Sequence, residues 1–137
     1  MELASAIEPV ALVVDDHDAV RRALCDCISA SLDQVRTREA SNAEDALRIV
    51  DKEWVDLVVI DIRLPGMNGI ECTRAIRRLS PMTRVVVVSK YDDAPHRNAA
   101  TDAGASAYVC KREVSRDLIP ALERILRRRG GAKVAAA

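Results

Sequence analysis

Four short apolar runs, each ended by a polar side chain, constrain this chain more than any other feature. Val10-Ala11-Leu12-Val13-Val14 runs into Asp15-Asp16, and Leu57-Val58-Val59-Ile60 runs into Asp61. Val85-Val86-Val87-Val88 runs into Ser89, and Ala107-Tyr108-Val109-Cys110 runs into Lys111. Short, Val-rich runs bounded by turn residues read as strands buried on both faces, which is the pattern of a parallel sheet. In open parallel sheets the carboxyl ends of the strands form the ligand-binding edge. Side by side, these strands bring an acid pair, a third acid, a hydroxyl and an ammonium together there. Hard oxygen donors and a cation suit a divalent metal and a phosphoryl group.

Helical patterns separate the runs. After the first strand, Val20, Ala23, Leu24, Cys27 and Ile28 form one apolar face at helical spacing. Val35 to Glu39 alternates, with Arg36 and Arg38 on one side, as a short charged edge strand does. Ser41 and Glu44 have capping-box spacing and open a helix whose inner face is Ala43, Ala46, Leu47 and Val50. Trp54 follows as a packing residue. A third helix after Gly69 offers Cys72, Ala75, Ile76 and Leu79, and Ser80-Pro81 stops it. The segment from Asp93 to Ala103 has only Ala99, Ala100 and Ala103 to bury, so a weakly anchored helix is expected. A last helix begins near Ser115 with Leu118, Ala121, Leu122 and Ile125 inward. Pro120 is placed in or near its first turn, and Gly130-Gly131 at its end. Five strands alternating with five helices predict an α/β fold, a doubly wound five-stranded parallel sheet. Right-handed crossovers and an edge position for strand 2 give the order 2-1-3-4-5. Residues 1–8 are expected to be an N-terminal extension, 9–129 one domain, and 130–137 a flexible tail.

The chain's 137 residues suit one domain with a single core. No apolar run nears the ~20 residues of a membrane span, and Met1 to Glu8 lacks a signal-peptide core, so the cytoplasm is the expected compartment. Net charge is zero but uneven: residues 1–69 hold 14 acids and 7 bases, and residues 70–137 hold 7 acids and 14 bases. Arg127-Arg128-Arg129 suits the dipole of a helix end better than nucleic acid. With aromatics at 2% and no Phe, there is no stacking platform for single strands. Cys25, Cys27, Cys72 and Cys110 lack zinc-site spacing and read as reduced packing residues. His17 and His96 read as solvated surface residues, with His17 near the mouth of the acidic site.

On these residues the chain resembles a receiver domain of a two-component response regulator over about residues 9–129. The resemblance rests on Asp15-Asp16, on Asp61 before Leu64-Pro65-Gly66-Met67-Asn68-Gly69, on Ser89, and on Ala103-Gly104-Ala105 leading to Tyr108 and Lys111. Val14-Asp15-Asp16-His17, Val20-Arg21 and Tyr91-Asp92-Asp93 are most similar to the NarL/FixJ (LuxR-type) class. The resemblance implies a flavodoxin-like (βα)5 receiver fold. It implies Asp61 as phosphoacceptor, with Lys111 and Ser89 assisting. It implies Mg²⁺ bound directly by Asp16, Asp61 and the Arg63 carbonyl, and through water by Asp15. Ser89 and Tyr108 would form the switch. The implied partners are a sensor histidine kinase, a phosphorylation-dependent second copy, and DNA only through a helix-turn-helix effector domain not present in this chain. The implied chemistry is a switch that catalyses only its own phosphorylation and dephosphorylation. Three positions depart from the usual pattern: Leu64 for Met, Lys90 for a small residue, and Arg112 for Pro. Lys90 is expected to hinder access, and Arg112 to leave a less rigid fifth loop.

Three other readings compete. An aspartyl phosphatase needs a second acid two residues after its nucleophile, and Arg63 stands there. A nucleotide-binding module needs a Gly-rich loop after the first strand, and none follows. An unphosphorylated interaction module fits poorly with an intact acid set.

Overall fold

The computed structural model describes the backbone of residues 8–136 and the side chains of residues 8–128. Its elements are β1 (Val10–Val14), α1 (Asp18–Ser31), β2 (Arg36–Ala40), α2 (Ala43–Lys52) and β3 (Leu57–Asp61). They continue with α3 (Gly69–Leu79), β4 (Arg84–Ser89), α4 (Ala94–Asp102), β5 (Ala107–Cys110) and α5 (Val114–Ala136). All strand pairs are parallel, in the order β2-β1-β3-β4-β5. The expected order therefore stands, with charged β2 at an edge.

Strand alternation divides the core into two layers. Leu12, Val14, Val58, Ile60, Val85 and Val87 face α2, α3 and the Ala100 contact of α4. Ala11, Val13, Val59, Val86, Val88 and Val109 face α1 and α5, against Leu24, Ile28, Leu118 and Leu122. Both faces of the three central strands are thus covered, which is why those strands carry almost no polar residue before their last position.

Several local expectations need correction. Asn42, not Ser41, caps α2, its Oδ1 accepting from the Asp45 amide at 2.8 Å. In α1, Cys25 is buried and Ala23 exposed, so the inner face is rotated by part of a turn. Leu79 is exposed at the end of α3. Trp54 is 50% exposed and anchored by its indole N–H on Asp56 Oδ1 at 2.9 Å, so it is not a packing residue. Pro120 lies inside α5, beyond its first turn. There its ring removes the hydrogen bond to the Arg116 carbonyl. The same helix continues past Gly130-Gly131 to Ala136, since Gly weakens a helix without forbidding it. Residues 1–7 of the expected extension, and Ala137, lie outside the described residues. No helix among the described residues is long and apolar enough to cross a membrane.

Candidate phosphoacceptor site

The carboxyl ends of β1, β3 and β5 place the charged residues. Asp15 follows the last residue of β1 and is only 1% exposed. Such a carboxylate must be fully paired. Its Oδ1 accepts the His17 amide at 2.9 Å and its Oδ2 accepts Lys111 Nζ at 3.1 Å. Asp61 closes β3 at 8% exposure. Its Oδ2 accepts the same ammonium at 2.9 Å, and its Oδ1 accepts the Arg63 amide at 3.3 Å. Asp16 is exposed beside them, and one oxygen of each of the three carboxylates lies within 4.8 Å of the others. Lys111 therefore bridges two acids 96 and 50 residues away in the chain. Burial pulls its pKa down, but the hydrogen bonds and charges of Asp61 and Asp15 outweigh that and raise it above 10.5.

These groups line an open cavity of about 800 Å³ with Arg63, Leu64, Lys90, Tyr91 and His96 among its walls. Lys111 is shared by the two buried carboxylates, Asp15 and Asp61, and of the three acids Asp16 alone is solvent-facing. A hard divalent cation fits that donor set, since every side-chain ligand is a carboxylate oxygen. Gly69 keeps the floor compact. A Cβ there would overlap the Asp61 carbonyl oxygen, so only glycine lets α3 start against the end of β3.

Ser89 ends β4, one position past Val88, the register partner of Asp61. It is fully buried beneath the cavity rather than on its wall, and its Oγ accepts the Tyr91 amide at 3.1 Å. Tyr108 is half-buried, its hydroxyl donating to the Tyr91 carbonyl at 2.7 Å. The Arg97 guanidinium sits 4.7 Å from the Tyr108 ring centre. Burial raises the Tyr108 phenol above its usual pKa of 10. Lys111 to Glu113 forms a single 3-10 turn leading directly into α5, so Arg112 stands in a short helical turn.

The sequence reading missed the parts played by five residues. Tyr91 accepts Arg63 Nη1 on its hydroxyl at 2.9 Å and stacks on His96 with ring centres 4.1 Å apart. His96 also pairs with Asp93 at 2.7 Å, so it is not simply solvated. Arg21 donates to the Asp15 carbonyl at 2.8 Å while paired with Glu39 and Asp18, holding the acid loop from behind. Asn68 and Glu71 form the capping box that begins α3, and their three-residue spacing was a legible signal.

The model of the response regulator receiver domain matches residues 11–123. The chain is 33% identical over 111 residues to the nitrate/nitrite response regulator protein NarL of Escherichia coli (strain K12), covering 81% of this chain and 51% of NarL. It spans about half the length of the curated relatives it matches. A LuxR-family two-component response regulator from Aurantimonas sp. SI85-9A1 superposes with a TM-score of 0.82 at 33% identity, covering 88% of this chain and 86% of that one. The response regulator TrrA from Thermotoga maritima, in complex with Mg(2+)-BeF, superposes with a TM-score of 0.76 at 26% identity, covering 85% and 98%. With the acid cluster, the bridging lysine and the 2-1-3-4-5 sheet already in place, these matches establish that the chain belongs to the response regulator receiver domain family, with NarL and LuxR-type regulators among its relatives.

Proposed function

We propose that this receiver takes a phosphoryl group on Asp61 from a sensor histidine kinase and changes its output surface in response. The observation that carries the reading is Lys111 Nζ held at 2.9 Å from Asp61 and 3.1 Å from Asp15. An Asp61 oxygen forms the bond to phosphorus while the P–N bond to the donor imidazole breaks, and the freed imidazole takes up a proton. Lys111 then transfers its contact to a phosphoryl oxygen. Positioning and charge supply most of the rate in such a transfer. Asp15, Asp16, Asp61 and the Arg63 carbonyl are the groups that would hold Mg²⁺. When bound, the ion neutralises the repulsion between the acids and an incoming phosphoryl group. The Mg(2+)-BeF complex of TrrA supports that assignment by similarity.

Ser89 and Tyr108 are the switch pair. The Ser89 hydroxyl accepts the Tyr91 amide and also interacts with the Tyr108 hydroxyl, so turning its proton toward a phosphoryl oxygen would release Tyr108. The Tyr91 carbonyl anchors Tyr108, so movement of Ser89 reaches β5 through one residue. The output surface is α4, β5 and α5. Its change would alter self-association or partner binding, and control of transcription would run through a DNA-binding effector domain or a partner protein. The chain turns over only its own phosphoryl group.

Incubation with Mg²⁺ and acetyl phosphate should add one phosphoryl group, labile to hydroxylamine, and Asp61→Asn should abolish it. A hydroxylamine-stable product, or full labelling of Asp61→Asn, would overturn the assignment.

A further inference from the structure

The opposite end of the sheet carries a second charged cavity. Arg84 begins β4, five strand steps or about 17 Å from Ser89 at the phosphoacceptor edge. Together with Ser106, Arg124, Ile125 and Arg128 it lines a cleft of about 230 Å³. No acidic residue lines that cleft. Among the described residues none of the three arginines takes part in an ion pair. Arg124 and Arg128 stand one helical turn apart, where like charges repel. A strand start and a helix face thus hold three permanent positive charges around one small space with no compensating acid among the described residues.

We propose that this cleft binds a compact phosphate-bearing anion, independently of the phosphoacceptor site. Guanidinium groups present paired donors that match phosphate oxygens, and a tetrahedral dianion can take such a pair from more than one side. A single carboxylate saturates on one guanidinium and leaves two charges unmet. Ser106, exposed beside them, supplies a hydroxyl donor, and its backbone is fixed by its amide on the Val85 carbonyl at 2.7 Å. The volume lies below the ~300 Å³ at which pockets for larger organic ligands begin. Ile125 is the one apolar wall, so the ligand is small and gains little from apolar burial. No aromatic residue lines the cleft, which argues against single-stranded nucleic acid. The Arg127-Arg128-Arg129 run thereby gains a role for its middle residue.

The test is an amide and arginine side-chain NMR titration of the full chain with inorganic phosphate and pyrophosphate, without Mg²⁺ and at constant ionic strength. Saturable shifts are expected at Ser106 and at the Nε–H groups of Arg84, Arg124 and Arg128, with Gly66 and Gly69 beside Asp61 unmoved. Arg124→Gln with Arg128→Gln should weaken binding about tenfold or more, as loss of charge-assisted hydrogen bonds does. Arg84→Gln, on a different element, should weaken it too, which separates the site from any local effect on α5. Shifts that match those from sodium chloride, that persist in both variants, or that appear only near Asp61 would overturn the proposal. Tighter binding of an oligonucleotide than of pyrophosphate would also overturn it. Because the shifts are read at the far edge of the sheet, the result is independent of whether Asp61 accepts phosphate.

Discussion

Gly69→Ala separates the architecture of the site from its charges. Gly69 donates its amide to the Ile62 carbonyl at 2.7 Å, and Asn68 caps the helix that starts there. An added Cβ meets the Asp61 carbonyl oxygen, the Asp61 carbonyl carbon and Ile62 Cα, all of them main-chain atoms. No side chain can swing aside, so either α3 or the end of β3 must move. Overpacking costs about 1–3 kcal/mol, and rigid neighbours place this case near 3 kcal/mol. Gly66→Ala is the control. Its space is open, but its φ of +73° disfavours any L side chain, a cost of about 1 kcal/mol. At about 4 °C per kcal/mol for a domain of this size, Gly69→Ala should melt about 12 °C lower and Gly66→Ala about 4 °C lower. Displacing the Asp61 main chain should also slow phosphorylation by acetyl phosphate at least about tenfold. Thermal denaturation and a Phos-tag gel read the two effects. A Gly69→Ala variant that melts with the wild type and labels at the same rate would refute the close-approach argument.

The raised pKa of Lys111 predicts an alkaline signature. The stability it contributes is complete below its ordinary value of 10.5 and is lost as pH rises through the higher folded value, so the advantage of wild type over Lys111→Met in urea should hold at pH 8 and shrink above 10.5. Burial pushes the Cys25 thiol up to about 11 and the Cys72 thiol to about 12. Iodoacetamide at pH 8 should therefore modify half-exposed Cys27 first, as mass spectrometry of the folded protein will record. Ser89→Ala should still accept phosphate but fail to change Tyr108 exposure with beryllofluoride, and Tyr108→Ala should label normally while losing any phosphorylation-dependent association. Unchanged Tyr108 quenching in wild type on adding beryllofluoride would count against this pairing.

Four of the strands were legible because each is an apolar run whose end is marked by a charge or hydroxyl, and charged β2 was legible from its alternation. Burial on both faces leaves no room for another pattern, and crossover handedness then orders the sheet. That order puts Asp15 and Asp61 on neighbouring strand ends, and the long side chain of Lys111 reaches both from beyond β4, although 96 and 50 residues separate it from them. Side-chain choices between near-equals were not legible. Ser41 and Asn42 are both good caps, and only the path of the chain out of β2 decides that Asn42 reaches the Asp45 amide. Trp54 looked like core because its ring is apolar, but Asp56 draws its indole N–H outward to the rim. Pro120 was pulled toward a helix start by its own chemistry, while Leu118, Ala121 and Leu122 bury the helix around it. The links of Tyr91 to Arg63 and to Tyr108 span 28 and 17 residues between loops and a strand. No periodicity marks such contacts.

Under the proposed function, those links would let a phosphoryl group on Asp61 move one helix and not another. α3 is seated by fully buried Cys72 and Ile76 and by the tight Gly69 contact, and burying a side chain such as Ile alone is worth about 1.5–3 kcal/mol. α4 buries only Ala100 along its length. What holds its entrance is polar: Tyr91 bonded to Ser89, Arg63 and Tyr108, stacked on His96, and Asp92 paired with Arg97. Each such hydrogen bond contributes about 1 kcal/mol net, and each can be exchanged for another acceptor. A phosphoryl group supplies three strong acceptor oxygens next to this network. It can therefore redraw the hydrogen bonds of Ser89 and Tyr91 at a cost that α4 can accommodate, while displacing α3 would mean opening the apolar core. The weakest apolar face in the fold thus lies beside the site, where the proposed movement costs least.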